Sequence, residues 1–394
     1  MKVVHVLTSA ATSWGGPPRA VRNLTTGLNQ LGVHNTVVTL GDRNLDSVRF
    51  SEGTTLRQCG NALFGYSQGG DAIPAKMAIP SSPDLVRALV AEIESADIVH
   101  LHELWSVPHV LGGLVARIAG CPYIVSPHGE LQAWALRRRG RLKRLAWHAY
   151  EKRLLLSVSG IHALTTTEER SVRQMDLQAP VKVIPNGIDF KNIDAIIKQF
   201  EVQPKEVPRS VPFVLYVGRL AAGKGLQMLL EAVSEIDCYL KGLSLVLVGP
   251  DERGLWPKLR AKAESLGIEE RVTYLGVVNE PQKYAVFASA ELFILPSSSE
   301  GLSVSLLEAL ACGTPVVITP GCNITQEELG IAGRVVDPNP KSIARAVVDI
   351  LQDQQGYRLM RDRARSLAMQ RYSSSTVASQ MMKFYTDTLD REET

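Results

Sequence analysis

Short apolar, β-branched runs alternate with stretches of helical period along most of the chain. In the first half the runs are Val3–Leu7, Thr36–Leu40, Asp97–Leu101, Tyr123–Ser126, Ile161–Thr165 and Val181–Ile184. They are apolar nearly throughout rather than at every second position, which is the pattern of strands covered on both faces of a parallel sheet. Between them, Pro18–Leu31 sets Val21, Leu24, Leu28 and Leu31 on one helical face. A second helix, Asp84–Glu94, is announced by Ser82 as a capping residue and Pro83 at the first helical position. From Gly41 to Pro83 the alternation fails; that stretch is rich in Gly, Ser, Asn and Gln and reads as a long loop or an excursion outside the sheet.

The pattern breaks again between Lys191 and Pro212, where Pro204, Pro208 and Pro212 with Lys205, Glu206 and Arg209 make a polar connector. It then restarts, with strands at Phe213–Val217, Leu243–Val248, Val272–Leu275, Leu292–Leu295, Pro315–Ile318 and Arg334–Val336. Helical stretches such as Gly225–Ile236 and Ser342–Leu351 separate them, and the chain closes with Tyr357–Arg371 and Thr376–Leu389. This predicts two Rossmann-like α/β domains, residues 1–190 and 191–375, with the last helix, within 376–394, returning to the first. Open parallel sheets bind ligands beyond the carboxyl ends of their strands, so a cleft between the domains is the expected site.

Composition narrows the class. The 394 residues include 43 Lys and Arg against 40 Asp and Glu, with 45% hydrophobic and 21% charged positions. That is ordinary globular usage and excludes a disordered chain or a nucleic-acid binder with a generally basic surface. No apolar run reaches the ~18 residues that span a bilayer, and the apolar stretch from Met1 to Leu7 is too short for a signal peptide. Cys59, Cys121, Cys238, Cys312 and Cys322 are scattered without a paired spacing, which argues against a disulfide framework or structural zinc and favours a cytoplasmic location. Charge is nevertheless uneven. Eight basic residues and the single acid Glu151 lie between Arg137 and Arg153, leaving the rest of the chain slightly acidic. Two readings stand: a helix whose basic face meets anionic lipid, with Leu142, Leu145, Ala146 and Ala149 as its apolar side, or a solvated face whose apolar side packs inward.

Two stretches carry candidate chemistry. Gly218-Arg219-Leu220-Ala221-Ala222-Gly223-Lys224-Gly225 follows a strand and nearly matches the phosphate loop of nucleotide triphosphatases. Gly225 stands where that loop needs a metal-binding hydroxyl, so triphosphatase chemistry is disfavoured; two cations at a strand-to-helix turn still suit a diphosphate. From Pro296 onward, a strand end leads through Glu300-Gly301 to Ser303, a cap for a helix over about Val304–Cys312 that Gly313 ends. Glu300 before that helix and Glu308 within it flank the free N–H groups of its first turn, giving carboxylate, anion site and carboxylate in sequence. Carboxylates suit hydroxyl groups, and helix starts suit phosphate.

Together the two blocks resemble the nucleotide-sugar glycosyltransferases of family 4, retaining enzymes of GT-B fold. Glu300 and Glu308 occupy the positions of that family's paired glutamates. Val183-Ile184-Pro185-Asn186-Gly187-Ile188-Asp189, the pair Gly15-Gly16 and the loop Ser126-Pro127-His128-Gly129-Glu130 are similar to three further family segments, in the family's order. The resemblance implies two facing Rossmann-like domains, acceptor side first and donor side second. It implies Arg219 and Lys224 on the donor diphosphate, Glu308 on the ribose, and Glu300 on hydroxyls of the transferred sugar. Gly301, Leu302, Ser303 and Val304 would receive sugar and phosphates, Val277 the base, and Gly16 the phosphate from the other domain. His128 would lie near the reacting face. His102, at the end of the strand Asp97–Leu101, reads either as an acceptor-side residue with Glu130 or as a purely structural one. The pattern departs at Leu302-Ser303, where an aromatic-Gly pair is frequent.

The implied reaction moves a hexose, glucose from UDP-glucose first and mannose from GDP-mannose second, to a saccharide or lipid-linked saccharide in polysaccharide synthesis. No Asp has another Asp two residues on, so the acidic pair of metal-dependent transferases is absent and neither metal nor cofactor is expected. Alternatives are a sugar-nucleotide epimerase of the same fold and an inert sugar-nucleotide sensor. His5, inside a strand, reads as a satisfied core histidine, and Trp14, Trp105 and Trp134 as packing residues or a stacking surface.

Overall fold

The computed structural model describes residues 1–11, 14–41, 47–61, 83–137, 140–199, 207, 211–236, 240, 242–251 and 253–392. The chain forms two compact units, residues 1–187 with 374–394, and residues 188–373. The first unit carries β1 (Lys2–Ser9), β2 (His34–Gly41), β3 (Thr54–Asn61), β4 (Ile98–His102), β5 (Tyr123–Ser126), β6 (Gly160–Ala163) and β7 (Val181–Val183). They form one parallel sheet in the order β3-β2-β1-β4-β5-β6-β7.

Burial of both sheet faces explains why these runs lack alternation. Val3, Val4, Val6 and Leu7 of β1 are all 0% exposed, with Leu85, Leu89 and Leu101 on one side and Leu24, Leu28 and Phe384 on the other. The helix Gly16–Gln30 packs on the C-terminal helix Ser374–Glu392. Gly27 permits that approach, because an added Cβ would run into the Ser374 carbonyl and the Ala378 side chain.

The second unit repeats the plan with β8 (Phe213–Val217), β9 (Ser244–Val248), β10 (Val272–Tyr274), β11 (Leu292–Leu295), β12 (Val316–Ile318) and β13 (Gly333–Val335). The parallel order is β10-β9-β8-β11-β12-β13. In both units the chain steps outward from a first strand, then returns to the other side of it. The strand order therefore reverses between β1 and β4, and again between β8 and β11, which is where open α/β sheets take their ligands.

Three expectations about organisation need correction. Residues 41–83 are not wholly a loop: β3 lies within them and pairs with β2 from Asn35 to Gly41. The connector expected from Lys191 opens as a helix, Phe190–Gln199; residues 200–206 and 208–210 lie outside the described residues, as do Ser82, Arg138, Arg139 and Cys238. The basic segment is a broken helix rather than a single one. It comprises Ala133–Arg137, Gly140–Ala146, a π-turn at Trp147–Glu151 and Lys152–Leu155. Its inner anchor is Glu151, fully buried, whose carboxylate meets His109 Nε2 at 2.7 Å. Leu142 and Leu145 are 43% and 69% exposed, so only Ala146 of the expected apolar side faces inward. Among the described residues no helix is long and apolar enough to cross a membrane.

Candidate functional site

In the second unit the loops after β8 and β11 leave adjacent strands at the reversal point. They are fastened to each other. Ser298 donates its backbone N–H to the Gly223 carbonyl at 2.8 Å and its hydroxyl to the same oxygen at 3.1 Å. Gly225 has φ 69°, and an added Cβ there would strike the Pro296 carbonyl, so glycine is the residue this close approach admits. Lys224 Nζ meets Glu300 Oε1 at 2.6 Å, joining two residues that are 76 apart in sequence. The Glu300 backbone is held from below: its N–H donates to the Gly321 carbonyl at 2.7 Å, and the Asn323 amide donates to the carbonyls of Glu300 and Gly301. Arg219 sits in the same turn, its carbonyl accepting from the buried Tyr216 hydroxyl at 2.9 Å.

The helix Val304–Ala311 begins immediately after this loop, and the Ser303 hydroxyl caps it by accepting from Leu306 N–H at 3.4 Å. Leu302 and Val304 are each 6% exposed and anchor its first turn. Glu308 is 1% exposed; its Oε1 accepts from Lys283 Nζ at 2.6 Å and from the Tyr284 hydroxyl at 3.3 Å. Its Oε2 is buried with no hydrogen-bond partner among the described residues. A buried carboxylate oxygen without a donor is costly, and a ligand hydroxyl supplies one. Val277, 71% exposed, lies in the loop after β10. Sequence reasoning missed Lys283, Tyr284 and Asn323. The first two sit in the helix Glu280–Ser289, where nothing in their spacing marks them.

In the first unit Gly15 has φ 101° and Gly16 opens the first helix. The reversal point between β1 and β4 is filled by imidazoles. His5 Nε2 lies 3.0 Å from Asn35 Oδ1, His5 Nδ1 lies 3.1 Å from His102 Nε2, and His102 Nδ1 lies 3.2 Å from His128 Nε2. A second row links Tyr385, His100, Ser126 and His162 to the Ile184 carbonyl, with separations of 2.6 to 2.8 Å. Burial lowers the pKa of His5 to about 4 and of His162 to about 3, and drives His100 and His102 well below the ordinary imidazole value. These four rings are neutral at pH 7.

His128 follows β5 with φ 51°, an uncommon conformation for a side-chain-bearing residue. Its loop is braced: the Glu168 carboxylate accepts from Gly129 N–H and, at 2.6 Å, from Leu164 N–H, while Glu130 Oε2 accepts from Leu104 N–H at 2.6 Å. Burial raises the Glu168 carboxyl to about 7 against the pull of those two N–H groups, and Glu130 adds to the rise. His102 has the surroundings of the structural role that the sequence also allows. It is 2% exposed and both its nitrogens are engaged, by His5 and by His128. His5 is the satisfied core histidine that the sequence suggests. Of the tryptophans, Trp105 is buried, Trp134 is 41% exposed, and Trp14 donates its ring N–H to Glu103 at 3.0 Å. His5, His100 and His102 present nitrogens within 4.8 Å of one another, a set with metal-ligand chemistry, but all six nitrogens already have partners in the two rows.

The two units match two families in turn: "Glycosyl transferase 4-like domain" over residues 15–187 and "Glycosyl transferases group 1" over residues 197–367. An uncharacterized glycosyltransferase of Methanocaldococcus jannaschii is 27% identical over 308 residues, 74% of this chain and 76% of that protein. Among solved structures, sucrose-phosphate synthase from Thermosynechococcus elongatus superposes with a TM-score of 0.76 at 21% identity, over 99% of both chains. HepE of Anabaena, solved with UDP-glucose, superposes with a TM-score of 0.72 at 19% identity, over 98% of this chain and 100% of that one. The chain belongs to the family 4-like glycosyltransferases of GT-B fold.

Proposed function

We propose that this glycosyltransferase moves a hexose from a UDP-sugar, glucose first among the candidates, to a saccharide or lipid-linked saccharide, with retention of configuration and without a metal. The observation that carries the reading is the meeting of Lys224 and Glu300 at the β8–β11 reversal, beside a capped helix start. A cation, a set of outward N–H groups and a carboxylate are there the complement of a diphosphate joined to a sugar. Arg219 and Lys224 take the diphosphate, and the unpartnered Oε2 of Glu308 takes a ribose hydroxyl. Glu300 with the Gly301–Val304 backbone takes the sugar, and His128 contributes from the first unit. Leaving-group charge is neutralised by the two cations and the helix start. The acceptor hydroxyl attacks the face that the diphosphate leaves, and a β-phosphate oxygen takes its proton. The structure of HepE with UDP-glucose supports the choice of uridine.

A panel of nucleotide sugars, assayed for thermal stabilisation and then for UDP release in excess EDTA, tests this. UDP-glucose stabilises and turns over with chelator present; complete loss of turnover with EDTA contradicts metal independence. Recovery of an epimerised donor supports the epimerase instead, and binding without any UDP release supports the sensor.

A lipid-linked acceptor is favoured by one further observation. Leu142 and Leu145 are exposed beside the exposed Arg137, Arg141, Arg144, Lys152 and Arg153, an apolar and cationic surface of the kind that docks on anionic bilayers. Sedimentation with acidic vesicles at low salt, released as salt rises, is the expected result; protein left in the supernatant at low salt removes it.

A further inference from the structure

The hydrogen bonds of the β1–β4 reversal have a fixed direction, and the backbone sets it. Asn35 Nδ2 lies 3.1 Å from the Val33 carbonyl, which only accepts, so the amide nitrogen faces that way and Oδ1 faces His5. An amide oxygen only accepts, so His5 carries its proton on Nε2. Being neutral, His5 has a bare Nδ1, which takes a proton from His102 Nε2. Neutral His102 then has a bare Nδ1, which takes a proton from His128 Nε2.

We propose that His5 and His102 are positioning residues, which fix His128 in the Nε2–H form and leave Nδ1 as its acceptor nitrogen toward a hydroxyl of the transferred sugar. The function assigned to Nδ1 rests on the reading of His128 as a sugar contact; the tautomer assignment does not. The second row shows the contrast. The Ile184 carbonyl fixes His162, hence Ser126 and His100 in turn, but that row ends on Tyr385 in the interior, 0% exposed. Only the first row delivers its direction to a loop. Reversing it requires two buried rings and the half-buried His128 to change tautomer together and leaves Asn35 Oδ1 without its donor, the expensive outcome for a buried acceptor.

Selective ¹⁵N labelling of the histidine rings in the full chain tests this without any substrate. Two-bond proton–nitrogen correlations at neutral pH are expected to show His5, His102 and His128 protonated on Nε2. Asn35→Ala removes the anchor and should turn His128 into a mixture of both forms. In UDP release from UDP-glucose, His102→Phe should lower kcat about tenfold, the worth of one hydrogen bond, with KM nearly unchanged. His102→Gln, whose amide accepts on one side and donates on the other, should recover most of it. Wild-type His128 protonated on Nδ1 overturns the inference whatever the activity. Tautomers as assigned, together with unaltered turnover in His128→Ala, overturn instead the reading of His128 as a sugar contact and with it the use proposed for Nδ1.

Discussion

At the carboxyl edge of β8 and β11 the side chains that matter are ionic and come from two contiguous stretches. At the edge of β1, β4 and β5 they are imidazoles drawn from positions 5, 100, 102 and 128, the first three of them buried and neutral. The sheets share a strand order, yet all eight histidines of the chain lie at or before residue 162 and none falls in the second unit. On the function proposed above, the difference teaches how one topology serves two tasks. Holding a dianion calls for charge and exposed N–H groups, which a glycine turn and a helix start supply locally. Presenting a neutral, directional contact calls for dry surroundings and a chain of fixed donors, which only several strands together supply.

Acid should separate the units most strongly. The four buried rings have unfolded values near 6.5, with folded values of about 4 for His5, about 3 for His162 and well lower than 6.5 for His100 and His102. The unfolded chain therefore binds more protons between those limits. Their contribution is complete above pH 6.5 and is lost progressively as pH falls from there toward the folded values. Glu168, raised from 4.5 to about 7, works the other way over the same interval, but it is one group against four. Pulse proteolysis in urea at pH 7 and pH 5 should show the first unit losing several kcal/mol while the second changes little. Equal losses would break the comparison.

The next largest effect belongs to the second unit. Glu308→Gln strips the counter-charge from Lys283, which is 3% exposed, and should destabilise that unit by about 3–5 kcal/mol, read as a drop in urea midpoint. Glu300→Gln is milder, since Lys224 and Glu300 keep 20% and 12% side-chain exposure. It should lower kcat for UDP release while UDP affinity moves by less than the ~1.4 kcal/mol of a tenfold change. Equal loss of UDP affinity in both glutamate variants would contradict the division of ribose and sugar between them.

The same contrast governs what could be read in advance. Strands such as Tyr123–Ser126 and Leu292–Leu295 were readable to the residue, because burial on both faces writes an unbroken apolar run. The strand β3 was not. Thr55, Arg57 and Gln58 face solvent at the sheet edge, leaving Leu56 and Cys59 as the apolar trace of a strand. Lys224, Glu300 and the Ser303 cap lie within two short stretches, so spacing alone placed them. The imidazole row does not lie within one, and its single local mark is His100 and His102, two apart and therefore on one face of β4. Asn35 and His5 become meaningful only when β2 and β1 are paired, which brings Asn35 opposite Val3.

The central claim is that the Gly218–Gly225 turn of the second unit holds the donor diphosphate. Calorimetric titration of UDP into wild type and Lys224→Ala, both in excess chelator, tests it most directly. The account predicts a loss of about 1.5–3 kcal/mol, the range for a charge-assisted contact, in a protein whose urea midpoint is otherwise preserved. Wild-type affinity in Lys224→Ala would take the diphosphate away from this turn and contradict the account.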